Sequence, residues 1–132
     1  MKPLRHARLW LLLFAIGIVA TIISCMVPAT ALPDTPPGSD KLEHWLVYAG
    51  LATAAVQLFA RPRALATSAV GLLALGIAIE FAQALLTTTR SGDVWDAVAD
   101  ALGILFGMAT ALTPWRDVLL RFDRARAKNA IE

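Results

Sequence analysis

The stretch from Asp93 to Gly107 reads DVWDAVADALGILFG. It is apolar enough for a helix in lipid, yet Asp96, Asp100, Gly103 and Gly107 recur at offsets 0, 4, 7 and 11, a single stripe along that helix. A carboxylate near the middle of a membrane segment costs roughly 2.5–3.5 kcal/mol on insertion scales, so the stripe must turn away from lipid. The segment therefore calls for other helices in the same bilayer, carrying polar groups at the same depth.

Two such segments exist. Asp40-Lys41-x-x-His44-x-x-x-Tyr48 opens one apolar run, and Glu80-x-x-Gln83 lies near the end of another. The chain has 132 residues, of which 58% are hydrophobic, which is too apolar for an ordinary soluble domain. In lipid every backbone polar group must be paired internally, and no barrel-type alternation of period two is present, so helices are the solution. The reading is a single all-α polytopic membrane domain over residues 1–132. Its four transmembrane helices are expected at about 9–27, 42–60, 64–86 and 94–112, each long enough to cross ~30 Å.

Charge placement orients the bundle. Ten of the twelve basic residues fall before the first run, in the Arg61-Pro62-Arg63 turn, or after the fourth run; only Lys41 and Arg90 fall on the other side. The positive-inside rule then places both termini in the cytoplasm. Pro28 to Ser39 reads as an extracytoplasmic loop. The stretch 115–128 is a basic cytoplasmic tail whose Trp115, Val118, Leu119 and Phe122 have helical spacing; it either lies on the inner membrane surface as an amphipathic helix or is simply solvated. Trp45 and Trp95 near one interface, and Trp10 and Trp115 near the other, fit an aromatic belt. The basic Met1–Arg8 segment, the apolar run and Ala29-Thr30-Ala31 resemble a cleavable signal peptide, but the run exceeds the usual 7–15 apolar residues, and a retained first helix is expected. Cys25, the only cysteine, excludes an intrachain disulfide; its surroundings resemble a lipoprotein box only faintly, and a small buried residue is the simpler reading.

At 1.5 Å per residue, His44 and Tyr48, Glu80 and Gln83, and Asp96 and Asp100 all lie roughly 3–9 Å below the outer boundary. The polar faces are expected to converge on one outward-open pocket. Lys41 and Arg90 suit an anionic group such as phosphate or carboxylate. With one histidine in the spans and no His-x-x-x-His or Glu-x-x-His pair, no metal and no cofactor is assigned, although His44 with carboxylates is a chemically sound donor set. Ser91 and Thr87 to Thr89 give no recognisable nucleophile pattern. No interleaving of basic and aromatic residues points to nucleic acid. Gly103-x-x-x-Gly107 permits close helix approach, within the protomer or between copies in a homo-oligomer.

These motifs resemble the VanZ-like family of small bacterial membrane proteins over about residues 40–107. The family's Asp-Lys-x-x-His-x-x-x-Tyr segment corresponds to Asp40, Lys41, His44 and Tyr48; its Glu-x-x-Gln to Glu80 and Gln83. Its Arg followed by an Asp-x-x-x-Asn-x-x-Gly-x-x-x-Gly helix corresponds to Arg90, Asp96, Asp100, Gly103 and Gly107, with Asp100 departing from the usual Asn. The resemblance implies a multi-pass protein of the bacterial cytoplasmic membrane with a role in low-level resistance to teicoplanin. Its partner would then be an anionic lipid, a lipid-linked wall precursor or the lipoglycopeptide itself. Lys41 and Arg90 would hold an anion, with His44, Glu80 and Asp96 as the hydrogen-bonding core and Asp40, Tyr48, Gln83 and Asp100 around it. Two rival expectations stand beside this one. In the first, an intramembrane enzyme uses His44 and Glu80 to exchange protons while Asp96 orients His44. In the second, the network only packs helices.

Overall fold

The computed structural model describes residues 1–27, 36, 38–87 and 92–128. The described residues form five α-helices: α1 (Ala7–Met26), α2 (Ser39–Leu58), α3 (Pro62–Leu86), α4 (Val94–Ala109) and α5 (Val118–Lys128). Two 3-10 turns, Thr110–Leu112 and Pro114–Asp117, join α4 to α5. No strand occurs among the described residues. Three segments are long and apolar enough to cross a membrane: Ala7–Met26, Pro62–Leu86 and Val94–Leu112. At 20 residues α2 has a similar length, about 30 Å, but Asp40, Lys41, Glu43, His44 and Gln57 lower its hydropathy.

Local chemistry sets the helix ends. Gly38 has φ 85°, a left-handed conformation that glycine adopts without a Cβ penalty, and the chain turns there into α2. Pro62 occupies the first turn of α3, where its missing N–H is not needed, so this helix begins two residues before the expected Ala64. Asp93 caps α4 by accepting from the Trp95 N–H at 2.9 Å.

The burial pattern is inverted relative to a water-soluble bundle. Asp100 is 0% exposed, whereas Leu105 on the same helix is 67% exposed. The outer face of α1 presents Leu9, Leu12, Ile16 and Ile23, and that of α3 presents Val70, Phe81 and Leu85. On α3 the buried residues Leu72, Gly76, Ile79, Glu80 and Gln83 form one stripe facing the bundle. Burial of apolar side chains from water cannot hold helices together in lipid, so close packing of small residues must do so. α2 and α4 run against each other along their lengths. A Cβ on Gly103 would lie 2.4 Å from the Trp45 carbonyl oxygen, and one on Gly107 would lie 2.5 Å from that of Ala49. The glycine ladder is thus occupied by α2 of the same chain. Buried Ala49, Ala52 and Ala55 meet it from the α2 side, and Trp45 stacks at a tilt on Phe106 with ring centroids 5.1 Å apart. Tyr48, Leu51, Ala52, Leu72 and Ile104 form the apolar centre, and Phe14 and Ile18 of α1 pack against it.

The opposite end of the bundle ties the tail to the N-terminus. The Lys2 backbone N–H donates to the Leu58 carbonyl at 2.8 Å. Its buried ammonium pairs with Asp117 at 2.9 Å and donates to the Arg116 carbonyl. Asp123, also buried, accepts from Trp10 Nε1 at 3.0 Å and from the Arg5 N–H. Gln57 donates to the Trp115 carbonyl and accepts from the Leu119 N–H. The 115–128 stretch is therefore helical from Val118 and docked on the bundle through polar contacts, which the amphipathic pattern alone did not anticipate.

Two outcomes are expected. Gly103→Ala and Gly107→Ala each force α2 and α4 apart and cost about 1–3 kcal/mol, as overpacking does. Gly50→Ala and Gly71→Ala, where a Cβ meets nothing within 4 Å, leave stability equal or higher. Thermal unfolding in detergent separates the two pairs. Tail docking also depends on acid. The Lys2 ammonium holds the Asp117 carboxyl below its ordinary range, and the Trp10 N–H together with the Arg5 and His6 backbone does the same for Asp123. Carboxylates depressed in this way stabilise the docked state above the unfolded value of about 3.9, and that stability is lost as pH falls through the lower folded values. Limited proteolysis of the tail should accelerate only below about pH 4. Asp123→Asn should weaken docking at neutral pH and flatten that acid dependence.

Candidate functional site

The end of the bundle where α2 begins, α3 ends and α4 begins gathers the polar membrane residues. Asp93 and Asp96 sit at the N-cap and in the first turn of α4, where helix N-termini favour negative charge. Lys41, in the first turn of α2, reaches across to both: its ammonium lies 2.8 Å from Asp93 Oδ2, 3.2 Å from Asp96 Oδ1 and 3.2 Å from Asp40 Oδ2. At this mouth, outside the apolar run, Asp93 first and then Asp40 and Asp96 hold Lys41 more firmly in its charged form. The ammonium in turn holds Asp93 below the usual carboxylate range.

One helical turn deeper, His44 Nδ1 lies 3.0 Å from Asp100 Oδ1, and both side chains are buried. Donor and acceptor roles in this contact follow the tautomer: opposite an ionised Asp100, Nδ1 carries the proton, leaving Nε2 as the ring's acceptor. Glu80 arrives from α3: its Oε2 accepts the Asp93 backbone N–H at 2.7 Å. One ring nitrogen of His44, one carboxylate oxygen of Glu80 and one of Asp96 lie within 4.8 Å of one another. Among the described residues, three buried side-chain oxygens have no hydrogen-bond partner: Glu80 Oε1, Asp100 Oδ2 and the Tyr48 hydroxyl. Unpaired buried polar atoms are costly and uncommon in packed protein. The last two both face Gly76 of α3, whose absent side chain makes room for them: a Cβ there would lie 2.3 Å from Asp100 Oδ2 and 3.2 Å from the Tyr48 oxygen.

Of the residues singled out in the sequence, Asp40, Lys41, His44, Glu80, Asp96 and Asp100 form one connected cluster, with Tyr48 at its inner edge. Gln83 is buried but points to α1, donating to the Cys25 carbonyl at 2.8 Å. Arg90 lies outside the described residues, as do Thr88, Thr89 and Ser91. The carboxylate on His44 is Asp100, where the sequence reading gave that place to Asp96. Asp100 thus gives the imidazole a buried carboxyl partner. Asp93 is one of the acids expected at the pocket, but its capping of α4 was not anticipated, although the Asp93-x-x-Asp96 spacing before an apolar run is a helix-start signal. Gly76 was not among the expected site residues and carries no local signal, because its role is to clear space for side chains of two other helices.

Comparison with protein-family models, with curated proteins and with solved structures finds no match for this chain.

Asp93 combines a cap with an ion pair, and the two are separable. Asp93→Ala should lose both, at about 0.5–2 kcal/mol for the cap alone. Asp93→Asn keeps a capping oxygen and loses only the charge on Lys41. Thermal midpoints in detergent should rank wild type above Asp93→Asn and Asp93→Asn above Asp93→Ala.

Proposed function

We propose that this chain is a VanZ-like protein of the bacterial cytoplasmic membrane with four spans and both termini in the cytoplasm, whose outward-facing polar site engages the headgroup of an envelope amphiphile. The ordered motifs from Asp40 to Gly107 support the family reading. The basic residues collected at the end opposite the site support the orientation. The burial of His44 and Tyr48 against other helices supports α2 as the fourth span, because its polar groups avoid lipid.

One observation carries the binding reading. Side-chain exposure falls stepwise along connected polar groups, from Asp40 (55%) and Lys41 (38%) through Asp96 (11%) and His44 (8%) to Asp100 (0%). A gradient of this kind is what a site entered from one membrane face requires; a purely structural network gains nothing from an open mouth. Lys41 is already surrounded by carboxylates, so an anionic headgroup must displace one of them or rely on Arg90. Hydroxyl, amide and amine donors of a lipid-linked wall precursor or of a lipoglycopeptide match the exposed acids directly.

A second reading is favoured by the His44–Asp100 pair beside Glu80. A histidine oriented by a carboxylate, next to a second acid, is equipped for proton transfer, and the protein would then be an intramembrane enzyme acting on a lipid-linked substrate.

The test is teicoplanin susceptibility of a sensitive bacterium expressing wild type, His44→Ala or Glu80→Gln at matched membrane levels. Protection by wild type and its loss in both folded variants is the expected result. Equal susceptibility with and without wild type would remove the resistance role, and protection retained by both variants would remove the site from it. Turnover of an added lipid-linked substrate by purified protein would establish the enzymatic reading. Reporter fusions at each terminus should report a cytoplasmic location.

A further inference from the structure

Two acid clusters share Asp96, and they differ in one respect. Asp40, Asp93 and Asp96 offer oxygens within 4.8 Å of one another, and the Lys41 ammonium fills that space. His44, Glu80 and Asp96 offer donor atoms equally close and are each only 8% exposed; Lys41 reaches Asp96 Oδ1 at 3.2 Å, but no cation among the described residues pairs with Glu80. We infer that His44, Glu80 and Asp96 form a binding site for a first-row divalent cation of the zinc class.

The donor set and its supports carry the argument. One imidazole and two carboxylates suit Zn²⁺, Co²⁺ or Mn²⁺ better than Ca²⁺ or Mg²⁺, which prefer all-oxygen shells. Bonds of about 2.0–2.2 Å require donors roughly 3.3–4.3 Å apart, so a separation of at most 4.8 Å needs only a small inward movement of side chains. Each donor also has its own positioning partner. Asp100 pairs with His44 Nδ1, and with the proton on that nitrogen the Nε2 lone pair is free to serve as the ligand; the Asp93 N–H holds Glu80 Oε2; Lys41 holds Asp96 Oδ1. This is the outer-shell pattern that orients metal ligands. Independently, Glu80 Oε1 is buried without a hydrogen-bond partner among the described residues. A buried carboxylate oxygen held in place by its twin and lacking any donor is accounted for by a cation. Two carboxylates and a neutral imidazole around a divalent ion leave no net charge from these four groups, which removes the cost of placing two acids together at low dielectric. Three protein ligands leave coordination positions for water or for an oxygen of an incoming molecule.

This inference does not depend on the envelope reading, and its test uses no activity. Purified full-length protein in detergent is stripped with chelator, exposed to Zn²⁺, desalted and measured for bound metal. One ion per chain is expected. His44→Ala and Glu80→Gln should each lose it, and Asp100→Asn should weaken affinity by about 10–100-fold, as loss of an outer-shell partner does. The second histidine, His6, is exposed near the other end of the bundle, and His6→Ala should bind as wild type. Cu²⁺-loaded wild type gives a readout that does not rely on the folding of any variant: its electron paramagnetic resonance should show coupling to one imidazole nitrogen. Absence of a retained ion in wild type, retention undiminished in His44→Ala and Glu80→Gln, or a copper spectrum without nitrogen coupling would each overturn the site.

Discussion

Everything at the polar end depends on how closely α2 approaches α4. Trp45 and Ala49 of α2 lie with their backbone carbonyls against Gly103 and Gly107, at separations that any side chain at those positions would prevent. That contact fixes the register of the two helices. With it set, His44 faces Asp100 and Lys41 faces Asp93 and Asp96 one turn nearer the mouth. In lipid, where apolar burial supplies little drive between helices, such backbone proximity and the polar contacts it permits are the main sources of cohesion. The same residues that hold α2 and α4 together therefore also place the chemistry.

α3 has a different part. It adds Glu80 at the rim of the cluster and removes bulk at Gly76, where Asp100 and Tyr48 approach. One helix thus supplies both a functional group and the space for two others. The pairing of Glu80 with the Asp93 N–H also links the end of α3 to the start of α4, so the α4 cap, the lysine ion pairs and the Glu80 carboxylate form one cooperative unit. Such units respond non-additively to substitution, because loss of one partner leaves the others buried and unpaired.

Much of this architecture was legible in the residues themselves. The apolar runs located the helices to within a few residues, since length and composition suffice in a solvent that forces backbone pairing within each segment. The stripes 44/48, 80/83 and 96/100 placed polar faces at a common depth, because helical rise converts residue number into distance along the bundle axis. What periodicity does not encode is rotation about that axis. Gln83 shares a face with Glu80 in projection, yet it serves α1, and Asp100 rather than Asp96 takes His44. Both outcomes depend on how neighbouring helices are turned relative to one another.

The sequence by itself determined the helical class, the apolar runs long enough to cross a membrane and the polar residues that stand out within them, because those follow from composition and from the periods of the helix. The tertiary structure alone decided which acid meets which base. It also decided that Lys2, Gln57 and Asp123 clamp the tail at the other end, and that the Lys41 ammonium sits among Asp40, Asp93 and Asp96 while Glu80 has no cationic partner among the described residues. Those are matters of a few ångströms between residues tens of positions apart in the chain. They are set by the close approach of α2 and α4 and by the space left at Gly76, and no local pattern carries that information.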